Sequence, residues 1–217
     1  MSPIEIYRQA FAETWADDSP VDRVRFVVLD CETTGFSPVL DRILTIGAVA
    51  VRGGEIWLDD SFDAMVRVTG DVGPVAVHGV TPDQSSRGDD QDATLQRFLP
   101  YLRDGVIVGH HIGHDVSMLD AGLERMGSDV RLLNRTLDTA DLTWHLAQDG
   151  AFADRTLPGH LTLDTLADLF GVTPHDRHTA SGDAFITALV FLRLLKLSSR
   201  HGRTSLGAIS QEFVLPE

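Results

Sequence analysis

Five residues of this 217-residue chain have the types and spacing for metal-assisted hydrolysis: Asp30, Glu32, Asp115, His178 and Asp183. Asp30 and Glu32 end an apolar run, Phe26-Val27-Val28-Leu29, whose β-branched content reads as a buried strand. Alternate side chains on a strand share a face, so the two carboxylates project together and Cys31 points the other way. Neighbouring carboxylates repel one another and hold their protons more tightly unless a cation lies between them. Hard ions such as Mg²⁺ or Mn²⁺ take oxygen ligands of this kind. Asp115 follows a second short apolar run, at 106–108, and opens a helix, a junction where α/β sheets usually bind ligands. His178 closes a loop and Asp183 begins a long helix. Five residues apart, they do not share a helix face, so His178 belongs to the loop, as a base over the site. Four carboxylates and an imidazole suit two hard cations, about 3.5–4 Å apart in two-metal sites, and a proton acceptor for phosphodiester cleavage. Each residue alone has a plainer explanation: solvated acids in a turn, an acid on a helix dipole, a surface histidine. The ordered set carries the reading.

These residues require a sheet with helices over it. Ser2-Pro3-Ile4-Glu5 is a capping box with proline at the first helical position. Ile4, Tyr7, Phe11 and Trp15 then recur at helical spacing, predicting a helix ahead of the main fold that ends at Asp17-Asp18-Ser19-Pro20. After the Asp30 strand, residues 43–51 form a second apolar run, Gly53-Gly54 is a hairpin signal, and 55–68 read as a third strand. Residues 71–84 read as loop, with a short helix starting at Thr81-Pro82. Helices follow over 94–102, 114–126 and 141–147, with short strands at 106–108 and 136–139 between them. Thr162 caps a helix that ends at Gly171, and a long, largely buried helix runs from about 181 to 197. The order predicts one α/β domain: a mixed sheet flanked by helices over 21–200, a helical extension over 1–20 and a tail over 201–217.

The hydrophobic fraction of 43% supports a substantial core. No segment has the eighteen or more apolar residues of a membrane span, the start lacks a signal-peptide pattern, and one cysteine excludes an internal disulfide framework. These features predict a soluble, cytoplasmic protein with no membrane partner. A formal charge of −14 gives no field to attract a long polyanion. A nucleic-acid substrate is then expected to bind locally, at a chain end.

Asp30-x-Glu32-Thr33-Thr34-Gly35, the Gly-His-x-x-x-x-Asp that ends at Asp115, and His178-x-Ala180-x-x-Asp183 resemble, in that order, the three motifs of the DEDDh 3′–5′ exonucleases. The proofreading epsilon subunit of bacterial DNA polymerase III and its stand-alone relatives are the nearest likeness. Val77-His78-Gly79-Val80-Thr81 and Leu163-Asp164-Thr165-Leu166-Ala167 resemble further family elements, so the likeness covers about 25–195. It implies a ribonuclease H-like five-stranded mixed sheet and two Mg²⁺ or Mn²⁺ ions. Asp30, Glu32 and Asp183 would hold the one beside the attacking water, and Asp30 and Asp115 the one beside the leaving 3′-oxygen. His178 would be the general base. Thr33, Thr34 and Gly35 would present backbone and side chains to the terminal nucleotide, and His78 would lie beside its sugar or phosphate. The substrate implied is the 3′ end of single-stranded nucleic acid, DNA in preference to RNA, and the product a nucleoside 5′-monophosphate.

The chain departs from the family at His111, where asparagine is usual, and at His114, where an aromatic is usual; His114 would bring charge at low pH. Asp138 and His160 read as structural. Three other readings compete. The cluster His110-His111-x-x-His114-Asp115 suits a His/Asp metal phosphohydrolase, but such proteins are typically all helical and the Asp30 strand opposes it. A binding module that kept only the fold would have lost an acid or the histidine. A proofreading subunit would grip a DNA polymerase, commonly through a C-terminal extension, and the tail here offers only Phe213, Val214 and Leu215. A free-standing enzyme is the preferred expectation, with the N-terminal helix available to form a homodimer.

Overall fold

The computed structural model describes residues 1–153 and 156–210. The sheet has five strands in the order β3-β2-β1-β4-β5, formed by β1 (Phe26–Thr33), β2 (Ile43–Arg52), β3 (Glu55–Met65), β4 (Val106–Gly109) and β5 (Thr136–Asp138). β2 runs antiparallel to β1 and β3, whereas β1, β4 and β5 are parallel. Gly53 and Gly54 make the β2–β3 turn with φ of 58° and 76°, values that favour glycine. This is the ribonuclease H-like mixed sheet that the motifs imply.

Alternation along β1 sorts the core into two layers. Phe26 and Val28 face α8 (Ala180–Arg200), with α6 (Thr139–Gln148) and α7 (Leu163–Phe170) beside it. Val27, Leu29 and Cys31 face the opposite layer, built by α1 (Pro3–Ala10), α4 (Gln91–Leu102) and α5 (Gly113–Arg125). Asp30 and Glu32 continue the α8 side of β1, where its pairing with β4, confined to residues 26–28, has already ended.

The amino-terminal helix is shorter than its periodicity predicts. Ser2 caps it with both halves of the capping box, but it stops at Ala10. Tertiary bonds decide this. Tyr7 is fully buried, its hydroxyl donating to Asn134 Oδ1 at 2.6 Å and accepting from the Leu133 amide at 2.7 Å. The following segment is drawn across the sheet edge, where Asp17 pairs with Arg135 at 2.5 Å. Trp15 therefore packs in the α8 layer, on the other side of the sheet from Ile4, Tyr7 and Phe11. The apolar face expected to form a homodimer is largely covered within the chain.

Three further differences are local. Residues 71–84 contain a one-turn helix, α2 (Val75–His78), before the expected α3 (Pro82–Ser86) capped by Thr81. The 201–217 stretch begins as a packed element: α9 (Leu206–Ile209) buries Leu206 and Ile209, and the amides of Val21, Leu206 and Gly207 bond to Thr204, Ser19 and Asp17 carbonyls. Phe213, Val214 and Leu215 lie outside the described residues.

The amino-terminal end of α8 rests directly on β2. A Cβ on Gly47, the partner of Asp30 across the ladder, would lie 2.3 Å from the Ala180 carbonyl carbon and the Ser181 nitrogen. Gly47→Ala is expected to push α8 outward and lower unfolding stability by about 1–3 kcal/mol, as overpacked cores do. Urea denaturation measures it; an unchanged midpoint would mean that α8 has room to shift.

Candidate active site

Asp30, Glu32 and Asp183 meet where the end of β1 faces the start of α8. One oxygen from each lies within 4.8 Å of the others. Asp183 is buried, and its Oδ1 has no hydrogen-bond partner. A buried, partnerless carboxylate oxygen is costly unless a cation completes it. The all-oxygen donor set suits a hard divalent ion, so the residues present fit the metal that the motifs imply.

Asp115 arrives from the other layer. It stands in the first turn of α5, buried, and its Oδ1 accepts the Cys31 amide at 2.8 Å. It lies beside the three-acid group and outside the set that shares one 4.8 Å neighbourhood. The four acids still act on one another. Burial raises the Asp30 carboxyl well above the usual range, and repulsion from Asp115, Asp183 and Glu32 adds to it. Burial, then repulsion from Asp183, pushes Glu32 up to about 7. Asp115 is likewise pushed to about 7 by burial, against the Cys31 amide bond that lowers it. The Cys31 thiol, buried between them on the far face, is raised well above its ordinary value, chiefly by burial.

His178 is in the loop before α8, exposed, with φ of 63°. Its amide donates to Asp183 Oδ2 at 3.3 Å. Its ring lies near enough to Asp164 to help hold that carboxyl low, behind the larger effect of Arg177. The structure thus puts His178 at the rim, tied to the acids by its backbone.

Several expected contacts are arranged differently. His78 is buried, with Nε2 2.9 Å from the Val72 carbonyl and Nδ1 accepting the Val80 amide at 3.1 Å. With both nitrogens engaged, it braces the loop. Thr33 and Thr34 donate their hydroxyls to the Gly35 carbonyl and Asp41 Oδ1, at 2.8 and 3.0 Å. These side chains build the turn after β1. A Cβ on Gly35 would fall 2.6 Å from Asp41 Oδ2, so a larger residue there would displace the Asp41 side chain that holds the turn.

Among the described residues, His110, His111 and His114 are not part of the group placed to hold a metal. His110 Nδ1 sits 2.9 Å from Thr139 Oγ1, and burial pushes its imidazole down to about 4. His111 is exposed, with φ of 57°. His114 packs its ring 5.5 Å from Phe36, the place of the usual aromatic. Burial lowers its affinity for a proton, so the charge expected of it at low pH needs a more acidic solution than a free imidazole would. Asp138 is structural, accepting the Ile112 and Ala140 amides. Sequence reasoning gave no role to Arg177, Asp164 or Phe36. Arg177 bonds Asp183 and Asp164, and Phe36 stands 88% exposed beside the site. Arg177 had one signal, its place directly before His178.

A family model described as Exonuclease, of the RNase T type, matches residues 27–191. The chain belongs to the exonuclease family. Relatives include a PolC-type DNA polymerase III of Thermotoga maritima, 30% identical over 90% of this chain and 14% of that protein. A DNA polymerase III subunit epsilon-like protein of Rhodobacter capsulatus is 32% identical over 90% of this chain and 27% of its own length. The chain thus spans less than a third of either. Among solved structures, E. coli exonuclease I in a zinc-bound complex with single-stranded DNA superposes with a TM-score of 0.69, at 19% identity, over 83% of this chain and 42% of that one. Cell-death related nuclease 4 gives 0.69 at 14% identity, over 84% and 66%.

Glu32 and Asp115 give the metal-free protein an unusual pH dependence. Their folded-state values of about 7 exceed the ordinary 4.5 and 3.8, so between those limits the folded chain holds protons that the unfolded chain has lost. Their effect on stability is most favourable below about 4 and is lost as pH rises to about 7. In chelator-treated protein, Glu32→Gln is expected to flatten the fall in denaturation midpoint across that window. Parallel curves for the two proteins would contradict the assignment.

Proposed function

We propose that this chain hydrolyses the 3′ end of single-stranded nucleic acid, DNA in preference to RNA, releasing nucleoside 5′-monophosphates with two bound Mg²⁺ or Mn²⁺ ions. The convergence of Asp30, Glu32 and Asp183, whose Oδ1 has no hydrogen-bond partner, carries the reading. Asp30, Glu32 and Asp183 would hold one ion, and Asp30 with Asp115 the other. Bound there, the ions would supply positive charge that eases ionisation of a water and departure of the 3′-oxygen. His178 would accept the water's proton from the rim, where an exposed imidazole can exchange it with solvent. The Thr33–Gly35 backbone would orient the terminal nucleotide. The acidic surface keeps longer-range attraction weak, which favours a strand end over a duplex track.

A second reading is proofreading within a polymerase assembly. It is favoured by relatives named as PolC-type and epsilon-like DNA polymerase III proteins, of which this chain spans a small part. Among the described residues no helix is long and apolar enough to cross a membrane. We place the activity in the cytoplasm, with the replication proteins those names describe.

The test is incubation with 5′-labelled single-stranded DNA and RNA, with Mg²⁺ or EDTA. A ladder shortening from the 3′ end is expected, faster on DNA, and abolished by EDTA and by Asp30→Ala. His178→Ala is expected to lower kcat by about 10²–10⁴-fold while Mn²⁺ binding persists. Full activity in that variant would remove His178 from the role of base, and internal cleavage would exclude an exonuclease.

A further inference from the structure

Among the described residues, Arg177 is the cation paired with one of the four acids. Its Nη1 donates to Asp183 Oδ2. Its Nε and Nη2 form a two-point bridge to Asp164 Oδ1 and Oδ2, at 2.6 and 3.0 Å. The segment that carries it is bent, with Asp176 at φ 52° and His178 at φ 63°, a region that non-glycine residues occupy only when held there. Thr179, which caps α8, donates its hydroxyl to the Asp176 carbonyl at 2.6 Å and fixes the bend.

We propose that Arg177 is a displaceable counter-charge: it neutralises Asp183 in the metal-free protein, and Asp164 retains the guanidinium when Asp183 turns to a cation. The proposal rests on the metal reading given above. The two partners differ as this requires. The Asp183 side chain is 9% exposed and the Asp164 side chain 60%. Asp183 is buried in a group with Asp30 and Glu32, where a neighbouring positive charge offsets their repulsion, whereas Asp164 is solvated whether paired or not. Releasing Asp183 breaks one of three hydrogen bonds and leaves the planar two-point bridge intact, a geometry that guanidinium forms and ammonium does not. A guanidinium on Oδ2 repels any cation approaching the same carboxylate, so Arg177 sets the ion concentration at which the site fills. The His178 amide donates to the same oxygen. Movement of that carboxylate therefore also moves the loop bearing the proposed base.

Mn²⁺ binding to the full chain, read by electron paramagnetic resonance of the free ion, tests this without measuring catalysis. Arg177→Gln is expected to bind Mn²⁺ roughly tenfold more tightly than the unmodified chain, through loss of one competing charge. Asp164→Asn should bind more weakly, because the guanidinium then rests on Asp183 alone. The double variant should match Arg177→Gln. The metal-free Arg177→Gln chain should melt at a lower temperature and recover when Mn²⁺ is added. Two structural contacts would instead weaken binding together. If Arg177→Gln binds no more tightly, or Asp164→Asn binds more tightly, the counter-charge role is overturned while the metal site stands. If the unmodified chain takes up no Mn²⁺, the metal reading itself fails and this proposal with it. Should Arg177→Gln not fold, Asp164→Asn leaves Asp183 its partner and still gives a decisive sign.

Discussion

Mutual repulsion among carboxylates at the edge of an apolar core is the constraint that the rest of this structure answers. Asp30, Glu32 and Asp183 lie within 4.8 Å of one another, and Asp115 is bonded to the amide between the first two. Such an arrangement is unfavourable in free energy on its own. It persists because the elements that hold it are over-determined. β1 is paired on both sides and packed on both faces. α8 is seated on Gly47 with no room for a methyl group. The fold supplies the strength that keeps these acids together in a group that could hold a cation.

Three different structural devices bring the four acids together. Strand alternation places Asp30 and Glu32 together. The crossover from β4 to α5 brings Asp115 from the opposite layer. The cap at Thr179 aims Asp183 inward while its hydroxyl pins the preceding bend. No two of these depend on the same local interaction, so errors in one element would not be repaired by another. Gly47 belongs to this arrangement, since a Cβ there would lie 2.3 Å from the Ala180 and Ser181 backbone that begins α8.

Periodicity and turn chemistry made much of this legible. The β1 alternation, the Gly53-Gly54 turn, the Thr162 cap and Gly171 stop are all local codes, and each appears in the fold as expected. Readings failed where a distant partner outweighed a local pattern. Trp15 continued a helical stripe, but the Asp17–Arg135 pair and the bonds to residues 204–207 carried that segment across the sheet. The bracing of the loop by His78, through the Val72 carbonyl and the Val80 amide, was likewise outside what its motif shows. Spacing reports which residues are near in sequence; it cannot say which hydrogen-bond partner a folded loop will supply. Arg177 went unassigned for the same reason, since its meaning lies in Asp164, thirteen positions earlier.

Cys31, the sole thiol of the chain, sits on the same strand as the first two acids and is 8% exposed, facing the layer away from them. Its burial also suppresses the reactive thiolate form. An alkylating reagent can therefore reach it only when the helical layer packed over that face lifts away. The chain thus carries an intrinsic clock for opening of that layer, one that needs no introduced label and reports from the strand whose two acids would grip the ion.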